Sequence, residues 1–380
     1  MLRHQRVVLA QIRDGPMGSH RGTATTHAVH DKVLAFIHAP QDTEFEALAL
    51  EVFAHQFECI PAYRRVCERR ALTVRTVRDW RAIPPVPTLA FKHLDLCCAS
   101  PERVFVTSGT TQGTERRGSH AMPDLRLYRA AAVRGMRQFL FPDLDRMCIL
   151  SLLPATTERP ESSLAQMVAW ALEEMGSPSS SICASNDRFD FAALPEGLRQ
   201  SEREGAPVCI MTTTASLLRF FDHCRDHRWS WRLPHSSRLM DTGGAKGAPR
   251  TLSRKGLLAA CWNTFAIPGY FVVNEYGMTE LSSQFYDNVV RDRYSGRFGH
   301  RALAGPAWTR TRVLDPGSLE EVASGDTGVL CHTDLANAGS ALVVLTEDLG
   351  RMTADGFEIL GRVSGAEARG CSLSMADYLA

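Results

Sequence analysis

Val104-Phe105-Val106-Thr107-Ser108-Gly109-Thr110-Thr111-Gln112-Gly113 is a short apolar run that opens into small hydroxylated residues and glycines. A strand feeding such a loop can bring backbone N–H groups and hydroxyls against phosphate oxygens, because glycine tolerates positive φ and close approach. No Gly-Lys-Ser/Thr triplet follows, so this is not a Walker A loop. Taken alone, a plain Thr- and Gly-rich turn is the commoner explanation of such a segment.

Outward from this loop the chain alternates. Apolar runs at Met147–Leu153, Val208–Thr212, Arg238–Asp241, Tyr270–Asn274, Val329–His332 and Ala341–Leu345 read as buried strands. Helical patterns lie between them: one opens at Asp124, one at Ser162, and one covers Ala215–His227. Such alternation predicts an α/β body. Upstream, Phe45, Leu48, Val52, Phe53 and Phe57 predict a helical segment over Thr43–Arg70, and Ile83-Pro84-Pro85-Val86-Pro87-Thr88 reads as extended chain. Residues 1–30 lack any period and are expected to be a loosely ordered tail. From about Gly305 the pattern turns to strands and turns, which predicts a small β subdomain.

Composition narrows the function classes. The 380 residues are 44% hydrophobic, and 43 Lys and Arg face 42 Asp and Glu. A balanced chain creates no overall field for nucleic acid or an anionic membrane. No stretch reaches the roughly 18 apolar residues that span a bilayer, and no secretory signal is evident. The 11 cysteines include no C-x-x-C pair, which argues against zinc or redox pairing and for reduced thiols in the cytoplasm. His223, Cys224 and His227 on one helix give at most an incomplete metal set.

Three further segments can carry chemistry. Asn274-Glu275-Tyr276-Gly277-Met278-Thr279-Glu280 ends a strand in a glycine turn. There Tyr276 can stack on a base, Thr279 can bond a phosphate and Glu280 can hold Mg²⁺; a capped strand end is the bland alternative. Asp241-Thr242-Gly243-Gly244-Ala245-Lys246-Gly247 and Thr346-Glu347-Asp348-Leu349-Gly350 also follow strands, where α/β sheets gather ligands. Asp348 can take both hydroxyls of a ribose, although turns with Asx motifs look the same. His120 lies near the first loop and can face a substrate carboxylate, or simply pack. Met211, Leu217, Leu218, Phe220 and Phe221 can line an acyl pocket or a core.

The order of these segments, closed by Gly361-Arg362, resembles the adenylate-forming superfamily of acyl-CoA synthetases, luciferases and adenylation domains. Within it the chain is most similar to the acyl-protein synthetases of bacterial bioluminescence and their phenylacetate-CoA ligase relatives. That closer resemblance rests on Ile83–Thr88 with Phe91-Lys92, Ser162-Ser163-Leu164 with Met167, and Arg369-Gly370-Cys371-Ser372-Leu373. It covers about residues 40–380. The resemblance implies an adenylation body over 31–360 and a hinge-like stub over 361–380. It also implies ATP and Mg²⁺ as cofactors and a carboxylic acid, fatty or aryl, as substrate. Thr107, Ser108, Gly109, Thr110 and Thr111 would then lie over the β- and γ-phosphates, Tyr276 against adenine with Gly277 in its turn, and Thr279 at the α-phosphate. Glu280 would hold the metal, Asp348 the ribose hydroxyls with Arg362 nearby at the ribose or phosphate, and Gly243 and Gly244 the cleft wall.

Two departures shape the expected second step. After the first loop the family has a lysine, whereas this chain has Thr114-Glu115-Arg116-Arg117, so an arginine would substitute. Only 363–380 follows Arg362, too little for the usual C-terminal domain with its catalytic lysine; Lys246 is the candidate replacement. In acyl-protein synthetases a cysteine near the C-terminus takes the acyl group and relays it to a reductase. Cys371 stands at the matching place, and Arg369 nearby favours its thiolate. The acceptor is therefore Cys371, a partner reductase or a carrier protein. The competing expectations are a CoA ligase, and a non-catalytic nucleotide- and acyl-binding scaffold.

Overall fold

The computed structural model describes residues 20–107, 117–185, 188–190, 192–243 and 252–363. Three helices come first: α1 (His20–His38), α2 (Phe45–Cys59) and α3 (Pro61–Arg69). Two expectations change here. The segment 20–30, placed in a loose tail, is the first part of α1, because Val29, Val33, Phe36 and Ile37 form a buried stripe at helical spacing. The helical segment expected over Thr43–Arg70 is divided in two: Ile60 is extended and Pro61 starts the second helix, since proline donates no hydrogen bond back into the first.

The Pro-rich segment contributes a two-residue strand, β1 (Val86–Pro87). Strands β2 (Arg103–Val106) and β3 (Ser119–Met122) form a hairpin around the Thr/Gly-rich loop. Helix α4 (Leu125–Phe139) is capped by Asp124, which accepts from Arg126 N–H, and leads to β4 (Cys148–Ser151). Ser162 caps α5 (Ser163–Met175) in the same way, through Ala165 N–H. After β5 (Ser181–Ile182) come a small hairpin, β6 (Ala184–Ser185) with β7 (Arg188–Phe189), and α6 (Ala193–Glu204). The αβ alternation continues through β8 (Val208–Thr213), α7 (Thr214–His227), β9 (Arg238–Thr242), α8 (Arg254–Phe265) and β10 (Val272–Tyr276). β10 begins two residues later than the sequence predicts, because Pro268-Gly269 first folds into a 3₁₀ turn. The chain ends in β11 (Phe285–Asp287), α9 (Val289–Tyr294), β12 (Leu303–Ala304), β13 (Thr309–Leu314), β14 (Gly328–Asp334), β15 (Val343–Thr353) and β16 (Gly356–Arg362).

One mixed sheet runs β13-β14-β15-β16-β12-β11-β10-β9-β8-β4-β5, with β1 parallel to the start of β15. Strands β10, β9, β8, β4 and β5 are parallel; every pairing from β10 outward through β11 is antiparallel. The strands beyond 305 are therefore continuous with the parallel half, not a detached sheet. Alternation along β11 sends Phe285 into the apolar cluster under α1–α3 and Tyr286 into the one around α4–α8. Met211, Leu217, Leu218, Phe220 and Phe221 all lie in the second cluster, with Phe220 stacked on Trp231 and Phe265. They are core, and the same periodicity that fits an acyl pocket is what core packing demands.

Candidate active site

The carboxyl ends of β8, β9 and β10 lie side by side, with Thr213 paired to Thr242 and Thr242 to Glu275. Tyr276, the last residue of β10, donates its hydroxyl to Asp348 Oδ2 at 2.9 Å. Arg362 Nε donates to Asp348 Oδ1 at 3.0 Å from the cross-strand position on β16. The register shift beside Asp348, between Leu349 and Gly350, bends β15 where this pair forms. Burial, then the Asp348 charge, push the Tyr276 phenol well up, so it stays a neutral donor. Its ring packs among Phe285, His332 and Phe357.

Next to this trio the β2–β3 hairpin brings its loop ends down. Thr107 N–H bonds Gly118 O at 2.9 Å, Gly118 N–H bonds Thr107 Oγ1 at 3.0 Å, and Arg117 Nε bonds Thr107 O at 2.6 Å. A Cβ on Gly118 would stand 3.1 Å from Thr107 Cγ2 and 3.6 Å from Glu280 Oε1, so the Glu280 carboxylate lies directly under the loop's mouth. Burial pushes Glu280 up to about 7; Arg362 opposes this, and the charges of Glu347 and Asp348 add to it. A buried carboxylate so disfavoured as an anion, with oxygen donors only, suits a hard divalent cation.

His120, on β3, is buried and fixes the turn that carries Thr279 and Glu280. Its Nδ1 is 2.7 Å from Thr279 O and its Nε2 2.6 Å from Ser340 Oγ. Burial lowers the imidazole to about 4, so it is neutral near pH 7. A carbonyl can only accept, hence Nδ1 carries the proton and Nε2 accepts from Ser340. Asn337 Nδ2 completes the support by donating to Glu280 O at 2.9 Å.

Around β9, Arg254 joins Asp241 (2.8 Å) to Asp287 (2.7 Å), and Thr214 Oγ1 lies 2.9 Å from both Asp241 Oδ2 and Gly243 O. Gly243 has φ +70°, the left-handed region that glycine enters without strain. Thr242 donates to Glu275, whose carboxyl burial pushes up to about 7. A Cβ on Gly277 would meet Glu275 Oε1 at 2.5 Å, so a side chain there would have to displace the buried Glu275 carboxyl from Thr242.

The structure thus groups Tyr276, Asp348 and Arg362, sets Thr107 beside Glu280, ties His120 to Thr279, and leaves Gly277 and Gly243 at neighbouring strand ends. Ser108, Gly109, Thr110, Thr111, Gly244, Lys246 and Cys371 lie outside the described residues. Sequence reading gave no role to Ser340, Asn337, Glu275 or Glu347. Glu275 and Glu347 stand inside quoted motifs and were within reach; Ser340 and Asn337 carry no local signal.

The family described as Acyl-protein synthetase, LuxE, matches residues 27–380. The chain belongs to the acyl-protein synthetase family. The long-chain-fatty-acid–luciferin-component ligase of Aliivibrio fischeri is 20% identical over 368 residues, covering 91% of this chain and 93% of that protein. Its counterpart from Vibrio harveyi is 21% identical over 325 residues, covering 82% of each. Among solved structures, an open conformation of 2-hydroxyisobutyryl-CoA ligase, in complex with 2-HIB-AMP and CoA, superposes with a TM-score of 0.59 at 14% identity. The match covers 85% of this chain and 73% of that one, and it establishes the adenylate-forming fold. As an acyl-protein synthetase the chain is an ATP-using ligase that forms an acyl adenylate and transfers the acyl group. No helix among the described residues is long and apolar enough to cross a membrane.

Proposed function

We propose that this acyl-protein synthetase activates a long-chain fatty acid and holds it as a thioester on Cys371 before passing it to a partner protein. The observation that carries the reading is the meeting of Tyr276, Asp348 and Arg362 near Glu280, which lies beside Gly118 and Thr107. Asp348, aligned by Tyr276 and Arg362, accepts from the ribose hydroxyls, while the exposed edge of Tyr276 packs on adenine. Thr279 contacts the α-phosphate, and loop residues 107–111 cover the β- and γ-phosphates. Gly243 and Gly244 leave room for the cleft, Arg116 or Arg117 stands in for the lysine that follows the family's first loop, and Lys246 for its C-terminal catalytic lysine. Glu280 would hold Mg²⁺, which neutralises phosphate charge as pyrophosphate departs.

A carboxylate is a poor acyl donor, so its oxygen attacks the α-phosphorus and the bond to the β-phosphate oxygen breaks. The mixed anhydride then has AMP as leaving group. The Cys371 thiolate attacks the acyl carbon, AMP departs, and a thioester remains. His120, with both ring nitrogens engaged, acts by positioning Thr279 and Glu280.

The test is the intact mass of the protein after incubation with ATP, Mg²⁺ and a panel of fatty and aryl acids. A hydroxylamine-labile gain equal to one fatty acyl group, absent from Cys371→Ser, is the expected result. Pyrophosphate release without a mass gain would remove Cys371 and point to an external thiol; a CoA-dependent product would make the chain a CoA ligase. No pyrophosphate with any acid would overturn catalysis by this site.

A further inference from the structure

Against the backbone of residues 337–339 lies a second group of side chains that has no part in the adenylation reading. His55 and Cys59 are four residues apart on α2, so both project from one helix face. Cys98, from the segment after the Pro-rich strand, meets them there. Among the described residues, one ligand atom from each of these three lies within 4.8 Å of the others, with Cys59 Sγ 3.5 Å from His55 Nδ1.

The surroundings match what a metal centre needs. His55 is 5% exposed and its Nε2 has no hydrogen-bond partner. The His30 ring stands edge-on to it, 6.1 Å between centroids, fully buried and also with an unpartnered Nε2. Asp124 Oδ2 holds His30 Nδ1 at 3.3 Å, which fixes that ring beside His55. A buried, unsatisfied imidazole nitrogen is costly, which marks this pocket as one that a ligand would stabilise.

We propose that His55, Cys59 and Cys98 form a three-ligand zinc site. Two thiolates and an imidazole nitrogen are a donor set that zinc prefers, and three protein ligands leave the fourth position of its tetrahedron to water or another small ligand. Binding releases the two thiol protons to solvent. The site has a mechanical consequence. Cys98 N–H bonds Gly339 O at 2.9 Å, and Gln56, beside His55, donates to Asn337 O at 2.9 Å and Ala338 O at 3.1 Å. The same segment carries Asn337 and Ser340, which support Glu280 and His120. Zinc would therefore fasten the wall on which the candidate active site is built. The sequence reading set zinc aside for want of a C-x-x-C pair; here the ligands come as a His-x-x-x-Cys helix face and one distant cysteine.

The experiment titrates the reduced, chelator-treated full chain with Co²⁺ and then Zn²⁺. One Co²⁺ per chain with thiolate-to-cobalt charge-transfer absorption is expected, lost on addition of Zn²⁺. The absorption should vanish in Cys59→Ser and in Cys98→Ser and persist in Cys148→Ser, a cysteine elsewhere in the fold. In the unaltered protein, Zn²⁺ should protect Cys59 and Cys98 from iodoacetamide, read by peptide mass, and raise the melting temperature. No charge-transfer band, a band retained in the Cys59→Ser/Cys98→Ser double variant, or no protection of these two thiols would overturn the site. A Cys59–Cys98 disulfide in the protein as isolated would replace it with a redox pair.

Discussion

Glu280 binds its proton more tightly in the folded chain than in the unfolded one, because burial raises it from 4.5 to about 7. Stability from this group is therefore greatest at low pH and falls as pH rises from 4.5 through 7. The same proton competes with a cation. The Mg²⁺ concentration giving half-maximal pyrophosphate release should rise as pH drops from 8 to 6; a requirement flat across that range would count against Glu280 as the ligand. Glu280→Gln should lower the rate by about 10²-fold or more yet raise the melting temperature at pH 8, a combination that simple misfolding cannot produce. Gly277 gives a second case. Its Cβ position lies 2.5 Å from Glu275 Oε1, so Gly277→Ala should destabilise by about 1–3 kcal/mol, read from the denaturation midpoint. Tyr276, Glu280 and Asp348 were legible as residues because each stands in a short strand-end motif. Ser340 was not: its value comes from a histidine 220 positions away.

At the scale of elements, the β2–β3 hairpin is held to the rest of the site through His120. Replacing it by leucine strands Thr279 O and Ser340 Oγ inside the protein, at about 1–3 kcal/mol for each unsatisfied group. We expect His120→Leu to lose stability and to raise the KM for ATP, with His120→Gln recovering part of both, since an amide can donate and accept. A His120→Leu enzyme with unchanged ATP KM would show the hairpin to be independent of the Thr279–Glu280 turn. Helix starts at Asp124 and Ser162 were readable because a capping side chain acts within its own turn. The start of α1 and the break at Pro61 were harder. A stripe of Val29, Val33, Phe36 and Ile37 becomes a helix face only when something covers it.

Across the whole molecule, Arg238 on β9 is fully buried and forms a two-pronged pair with Asp143, at 2.7 and 2.8 Å, while also donating to Leu140 O. It ties the end of α4 to the centre of the parallel half. Asp143→Ala would leave a buried guanidinium without its counter-charge and should cost about 3–5 kcal/mol. Arg238→Met combined with Asp143→Leu should cost less than that single change, measured by urea denaturation. If the double variant is the less stable, the pair contributes net stability beyond mere charge cancellation.

The sequence by itself determined the αβ alternation and picked out the strand ends that could carry chemistry, because those signals are local: a cap, a glycine turn, a run of apolar residues. The acyl-activating reading came from the order of those segments, which resembles the adenylate-forming superfamily. Only the tertiary structure decided which of those ends meet. It made the strands after 305 one sheet with the parallel half, turned five candidate pocket residues into core, and set Glu280 beneath Gly118. It also brought Cys98 to a helix face holding His55 and Cys59. Such neighbours are fixed by packing and strand register across long stretches of chain, and no window of sequence contains that information.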